Sequence, residues 1–285
     1  MGILFALIAL IAWGFGDFLI EKSTRKFGDV VPLFYIAALA TIVLLPFVYR
    51  DLGSIIGPAW SILLTTGILI TIVAFLEFEA LRIGKISVIE PIMAFELPVT
   101  AALSFVILRE TISPLQLILL GVLLIGIFFV STRSFGHLTR VGLERGVLLA
   151  VIATLVMGTV NFFVSVGARV TTPLMIHWFT SAFIAFFCLA YLIIAGRTKE
   201  ILNDWRKGSR VLFSVSLTDN IAWIAYAFAV TYIPIAIATG ISESYIALAA
   251  GLGLFFNREK LKPHQKIGLA ICIAAVIVLS IVTER

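Results

Sequence analysis

Charge is scarce in this chain. Only 13% of its 285 residues are Asp, Glu, Lys or Arg, against about 25% in soluble domains. No polar stretch between its apolar runs exceeds a short loop, which leaves no room for a soluble domain. Cysteine is nearly absent: Cys188 and Cys272 both sit inside apolar runs, so neither a disulfide framework nor a thiolate metal site follows. The loops hold no phosphate-binding glycine pattern, zinc-ligand spacing or nucleophile triad, so no cofactor and no metal is expected. The first twenty residues lack a basic leader and a small-residue cleavage site, and they carry Trp13 and Asp17. They read as a retained helix rather than a signal.

What is abundant is apolar surface. The chain is 61% hydrophobic with a mean hydropathy of +1.14, the composition of an integral membrane protein. Its net charge of +5 then reports orientation, not affinity for nucleic acid. Ten segments are long enough for spans of roughly 17–25 residues: 3–20, 30–48, 60–80, 86–107, 113–132, 146–166, 173–195, 210–231, 235–256 and 263–283. Charged or Gly/Pro-marked loops punctuate them, among them "EKSTRKFGD", "RETISP" and "GRTKEILNDWRKGSR". Alternate loops on one side carry seventeen of the 21 Lys and Arg residues; Arg50, Arg109, Arg169 and Arg285 fall on the other. The richer side is cytoplasmic by the positive-inside rule, which puts both termini outside.

An internal repeat organises these segments. "RETISPLQ" at 109–116 recurs as "REKLKPHQ" at 258–265, and in that register Ala101, Leu103, Ile118 and Ser131 match Ala250, Leu252, Ile267 and Ser280. "GFGDF" at 14–18 aligns with "GTVNF" at 158–162, which sets Arg25 against Arg169 and Asp17 against Asn161. The expected fold is all-α, with ten transmembrane helices as two inverted five-helix repeats, 1–135 and 142–285. An odd number of spans per unit reverses the second copy, and transporters of that build hold solute near the midplane between halves.

The stretches "AWGFGDF", "FEALRIGKISVIEP", "LPVTAALSFVILRETISPLQLILLGVLLIG" and "FFNREKLKPHQKIG" resemble the EamA-like branch of the drug/metabolite transporter superfamily, over essentially the whole chain. Glu110, Glu259 and Pro98 match that family's most recognisable features, while Ala247 stands where a proline is common. The resemblance implies a ten-helix permease or exporter of small metabolites, and names no substrate.

Depth singles out residues independently. At about 1.5 Å of rise per residue, Glu96, Asp219 with Asn220, and Glu243 with Tyr245 fall at helix centres. Asp17, Glu77 and Glu90 lie about 8–10 Å nearer the cytoplasmic side. Ionised carboxylates at the bilayer centre cost at least about 2.5–3.5 kcal/mol each, so they must face protein, water or one another. No Lys or Arg sits at comparable depth, which points to proton carrying or binding of an amine. Trp13 is one turn from Asp17 on the same helix face and is a pocket-wall candidate, together with Trp223, Tyr226 and Tyr245. Pro91 and Pro98 each remove a backbone hydrogen bond around Glu96 and suit a gate or hinge.

Plainer readings stand beside these. Glu79 pairs with Arg82 one turn on. Glu110 and Glu259 are helix-end anchors, and His177 is interfacial. Glu90 either functions or snorkels outward. Asn161 and Asn220 could join neighbouring helices, and the aromatic residues or either proline could simply pack. "GFGD" also matches a string of intramembrane aspartyl proteases, which would need Asp219 as the second acid; a non-transporting scaffold leaves the deep acids unexplained.

The sequence therefore reads as a multi-pass plasma-membrane secondary transporter whose partners are a small solute and the bilayer. It exports amino acids or related amine-bearing metabolites by alternating access, with proton coupling as a further expectation. An organic-cation exporter is the alternative. The charge bias makes a cheap prediction: a reporter that fluoresces only in the cytoplasm, fused after Arg285, stays dark in cells, and bright cells contradict the orientation.

Overall fold

A backbone in hydrocarbon must satisfy its own hydrogen bonds, and a chain this apolar does so as helix. The computed structural model describes residues 1–83, 92–132, 145–248 and 262–284, and among these ten α-helices follow one another. They are α1 (Gly2–Phe27), α2 (Val30–Val48), α3 (Trp60–Ile83), α4 (Glu96–Ile107) and α5 (Pro114–Ser131). The series continues with α6 (Arg145–Val170), α7 (Pro173–Ile194), α8 (Thr198–Tyr232), α9 (Ile235–Glu243) and α10 (Pro263–Glu284). Seven of them (α2, α3, α5, α6, α7, α8 and α10) are long and apolar enough to cross a membrane, and shorter apolar stretches occupy Gly2–Gly16, Glu96–Ile107 and Ile235–Leu248.

Three expected boundaries change. α1 continues to Phe27, through the charged residues read as a loop. α8 begins at Thr198 instead of 210: the loop "TKEILNDWRK" is rich in helix formers, Arg197 pairs with Glu200 at 2.8 Å, and the chain bends at Gly208 before entering the apolar part. Tyr35 on α2 holds the extension, its hydroxyl donating to Ile201 O at 2.8 Å and its ring stacked on Trp205. The third change concerns Pro98, expected to interrupt a continuous helix. The chain turns at Ala94–Phe95 and α4 starts afresh at Glu96, so Pro98 lies in the first turn, where a missing N–H leaves no bond unmade. α9 breaks too, at Ser244 directly after Glu243, and resumes over residues 245–248.

The repeated motif has a structural meaning at its glutamines. Ser113 caps α5 in a capping box with Gln116, whose amide nitrogen also donates to Thr283 Oγ1 at the end of α10. Gln265 mirrors this. Its oxygen accepts the Lys262 N–H at the start of α10, and its nitrogen donates to Val130 O at the end of α5. Each glutamine thus closes one helix start and ties it to the far end of the partner helix.

Packing follows a matching pattern. α1 runs along α8 as α6 runs along α3; α2 lies on α7, α5 on α10 and α4 on α9. α2 meets α8 as α7 meets α3, and α4 meets α6 as α9 meets α1. Exchanging each helix with the one five places later maps this set onto itself.

Small residues allow the closest approaches, as they do between helices in lipid. A Cβ on Gly268 would lie 2.8 Å from both Gly126 O and Val130 N, backbone atoms that cannot step aside. Gly121, on the same α5, has nothing within 4 Å of such an atom. Gly268→Val should therefore lower thermal stability in detergent by the equivalent of about 1–3 kcal/mol. Gly121→Ala should leave it level or slightly raised; equal losses at the two positions would contradict the packing described.

Candidate functional site

A cavity of about 180 Å³ lies among the helices, and its lining mixes aliphatic and acidic side chains. Leu33, Ile36 and Ala37 on α2 and Ile70 and Ala74 on α3 are aliphatic. Four carboxylates join them, each from a different helix: Glu77 (α3), Glu96 (α4), Asp219 (α8) and Glu243 (α9). No Lys or Arg is among the described residues that line it. Glu96 and Glu243 are almost wholly removed from the surface, at 7% and 6% exposure. Glu77 and Glu96 both face the cavity. Asn161 on α6 donates to Glu243 Oε1 at 3.4 Å.

Aromatic rings on the lining pack against one another. Trp13 and Trp223 meet edge-on at 5.1 Å, and Trp13 and Tyr245 tilt together at 6.0 Å. Helical spacing explains the gathering on α8, where Asp219 and Trp223 are four residues apart and share a face.

Eight expected site residues are brought together on the lining: Trp13, Glu77, Glu96, Asn161, Asp219, Trp223, Glu243 and Tyr245. Two are corrected. Tyr226 is not a wall residue; it is fully buried behind Trp13 and Trp223, with its hydroxyl 2.9 Å from Thr239 Oγ1 and 3.2 Å from Ser165 Oγ. Asn220 also stands behind the wall, its amide nitrogen donating to Ile36 O at 2.9 Å and Ser216 O at 2.6 Å. Its neighbour Asp219 takes the cavity face because adjacent residues point in different directions around a helix. Pro98 sits at the start of α4 as described. Glu90, Pro91 and Glu259 lie outside the described residues, as do the side chains of Asp17 and of Arg82, the expected partner of Glu79.

His177 is the residue that sequence reasoning missed. Expected at the interface, it is buried and lines the cavity from α7, on one stripe with Thr180, Ser181 and Ile184. Its Nε2 lies 2.8 Å from Asn220 Oδ1. Both Asn220 N–H groups go to backbone carbonyls, so Oδ1 must accept and His177 Nε2 must donate. In the neutral ring that leaves the lone pair on Nδ1. No hydrogen bond to Nδ1 is seen among the described residues, and His177 lines the cavity. The signal that was available is the spacing His177, Thr180, Ser181 and Ile184, one polar-edged face of an otherwise apolar helix.

Four acids, a ring-nitrogen acceptor and aromatic faces make an acceptor-rich enclosure.

The family model described as the EamA-like transporter family matches residues 1–132 and again 144–281. No curated protein matches the chain. A solved structure titled only as the crystal structure of a protein superposes with a TM-score of 0.78 at 14% identity, covering 100% of this chain and 98% of the other. At that identity the likeness shows a shared fold.

The His177 geometry is testable without a ligand. His177→Gln can keep a donor where Nε2 was and should retain most of the thermal stability. His177→Phe strands Asn220 Oδ1 in the interior and should lower stability by about 1–3 kcal/mol. An interfacial histidine would give two equal, small effects.

Proposed function

We propose that this chain, which belongs to the EamA-like transporter family, is a secondary transporter that exports a small amine-bearing solute, an amino acid or a close relative, by alternating access of the central cavity. Membership makes it a multi-pass membrane transporter of small molecules and not an enzyme, which removes the ground for the protease reading of "GFGD". The observation that carries the solute class is the acidic lining around Glu96, with no Lys or Arg among its described residues and with Trp13, Trp223 and Tyr245 beside it.

In this reading the helices form two inverted five-helix repeats, supported by the exchange symmetry of the packing and by the mirrored roles of Gln116 and Gln265. The cavity then lies between the halves, where rocking exposes it to each side in turn. The breaks at Glu96 and Glu243 serve that motion, since unwound backbone at membrane depth is tolerated where it lines a cavity. Protons replace the amine on the return step, carried by the carboxylates of the lining.

A second reading is favoured by one observation. An amino acid also presents a carboxylate, and no Lys or Arg is among the described lining residues to receive it. An organic-cation exporter would have no such requirement. Flux of L-phenylalanine and L-phenylalaninamide into liposomes holding the purified protein separates the two: both move for an amino-acid carrier, and only the amide moves for an organic-cation carrier.

The same assay tests Glu96. Glu96→Gln preserves shape but not ionisation, so the protein should fold, while the affinity for the amide falls about ten- to a hundredfold, the cost of one charge-assisted contact. Glu79→Gln, away from the cavity lining, should transport as wild type. Normal flux in Glu96→Gln would place the amine elsewhere, and failure of both compounds to move in wild type would overturn the amine-bearing solute class.

A further inference from the structure

The cavity's polar residues do not stop at its wall. On α4 the sequence Glu96, Thr100, Ser104 advances four residues at a time, and on α6 so does Asn161, Ser165, Arg169. On α9, read backwards, the series is Glu243, Thr239, Ile235. Residues four apart share a helix face, each step rising about 6 Å. The three helices therefore build the same layers outward: a hydrogen-bonding group at the cavity, a hydroxyl one turn on, and an anchoring group two turns on.

Each layer is joined across the helices. Next to the cavity, Asn161 donates to Glu243. In the hydroxyl layer Tyr226 enters from α8; its OH lies 2.9 Å from Thr239 Oγ1, 3.2 Å from Ser165 Oγ and 3.3 Å from Asn161 O. In the outermost layer the Glu110 carboxylate meets three elements at once. Oε1 lies 2.6 Å from Arg169 Nη1, and Oε2 accepts from Ser104 Oγ and from the Ile235 N–H, both at 2.9 Å. Arg169 in turn donates through Nε to Val230 O at 2.7 Å and through Nη2 to Ile233 O at 3.3 Å, at the end of α8. Arg109 adopts a left-handed φ of 52°, and the chain folds back so that the Glu110 N–H reaches Ser104 O.

We propose that this column is the solute's route from the cavity to the face opposite the Lys/Arg-rich loops, closed twice: by Tyr226 at the hydroxyl layer and by the Glu110–Arg169 ion pair at the mouth. Three observations favour a closure over a static anchor. The pair reaches the surface, with Arg169 and Glu110 side chains 31% and 13% exposed, so water can receive both charges when they part. The layers beneath it carry hydroxyls, which can hydrate an opened route. Tyr226 also touches Trp13 at 5.8 Å and Trp223 at 6.1 Å, so a guest against those rings presses on the inner closure. In the repeat register Glu110 corresponds to Glu259 and Arg169 to Arg25; Glu259 lies outside the described residues.

The proposal rests on the cavity being the transport site, but its test needs no solute. A reporter thiol is placed inside the outer closure by Thr239→Cys, in a Cys188→Ala, Cys272→Ala background, and its reaction with a membrane-impermeant maleimide is timed in nanodiscs. Glu110→Gln and Arg169→Gln should each speed labelling about tenfold, and the double variant no more than either alone, because both remove one shared interaction. If the variants fold poorly, the reporter protein with the pair intact still decides: raising salt from about 0.05 M to about 1 M should speed labelling by screening a partly exposed pair. Labelling that is unchanged in folded variants and insensitive to salt overturns the proposal and leaves the pair a structural anchor.

Discussion

A carboxylate inside a bilayer has no bulk water to hold its charge, and this protein places four around one small cavity. Much else answers that constraint. Glu96 and Glu243 sit at helix breaks, not in mid-helix, so backbone polarity accompanies the side-chain polarity. Glu96 lies in the first turn of α4, where free N–H groups favour a negative side chain. Asn161 supplies Glu243 with a hydrogen-bond donor without adding positive charge.

The same economy shapes the rest of the bundle. Polar residues recur at fourth positions on α4, α6 and α9, which builds one continuous polar seam across the three helices. Hydroxyls along these helices mostly return their hydrogen to a carbonyl one turn back, as Ser165 does to Asn161 O and Ser242 to Ala238 O. Those bonds let polar groups sit in the membrane interior without a dedicated partner. Gly158 lets α6 approach α4 within the seam, and Gly126 and Gly268 bring α5 and α10 together beside it.

Legibility in the sequence followed what is local. Apolar runs mark the membrane thickness, so depth alone found Glu96, Asp219 and Glu243, and a four-residue step found Trp13 as a wall residue. Direction around a helix was not legible: Asn220 and Tyr226 have the same depth logic as their neighbours but face away from the cavity, which only the packing of α8 against α2, α6 and α9 decides. His177 was misread because its distance from a helix end was visible and its partner on α8 was not. Glu110 was rightly seen at a helix end, yet its importance comes from Arg169, 59 positions along the chain, and from Ile235 beyond that. The helical extension at 198–207 was hidden because charge reads as loop in a membrane chain, although those residues favour helix.

The central claim is that the carboxylates exchange protons for a cationic guest. Purified protein in weakly buffered detergent solution, titrated with L-phenylalaninamide while pH is recorded, tests it most directly. The account predicts that binding releases protons, about one for each amide bound, and that the release is lost in Glu96→Gln. Binding of the amide with no proton release from wild-type protein would contradict it.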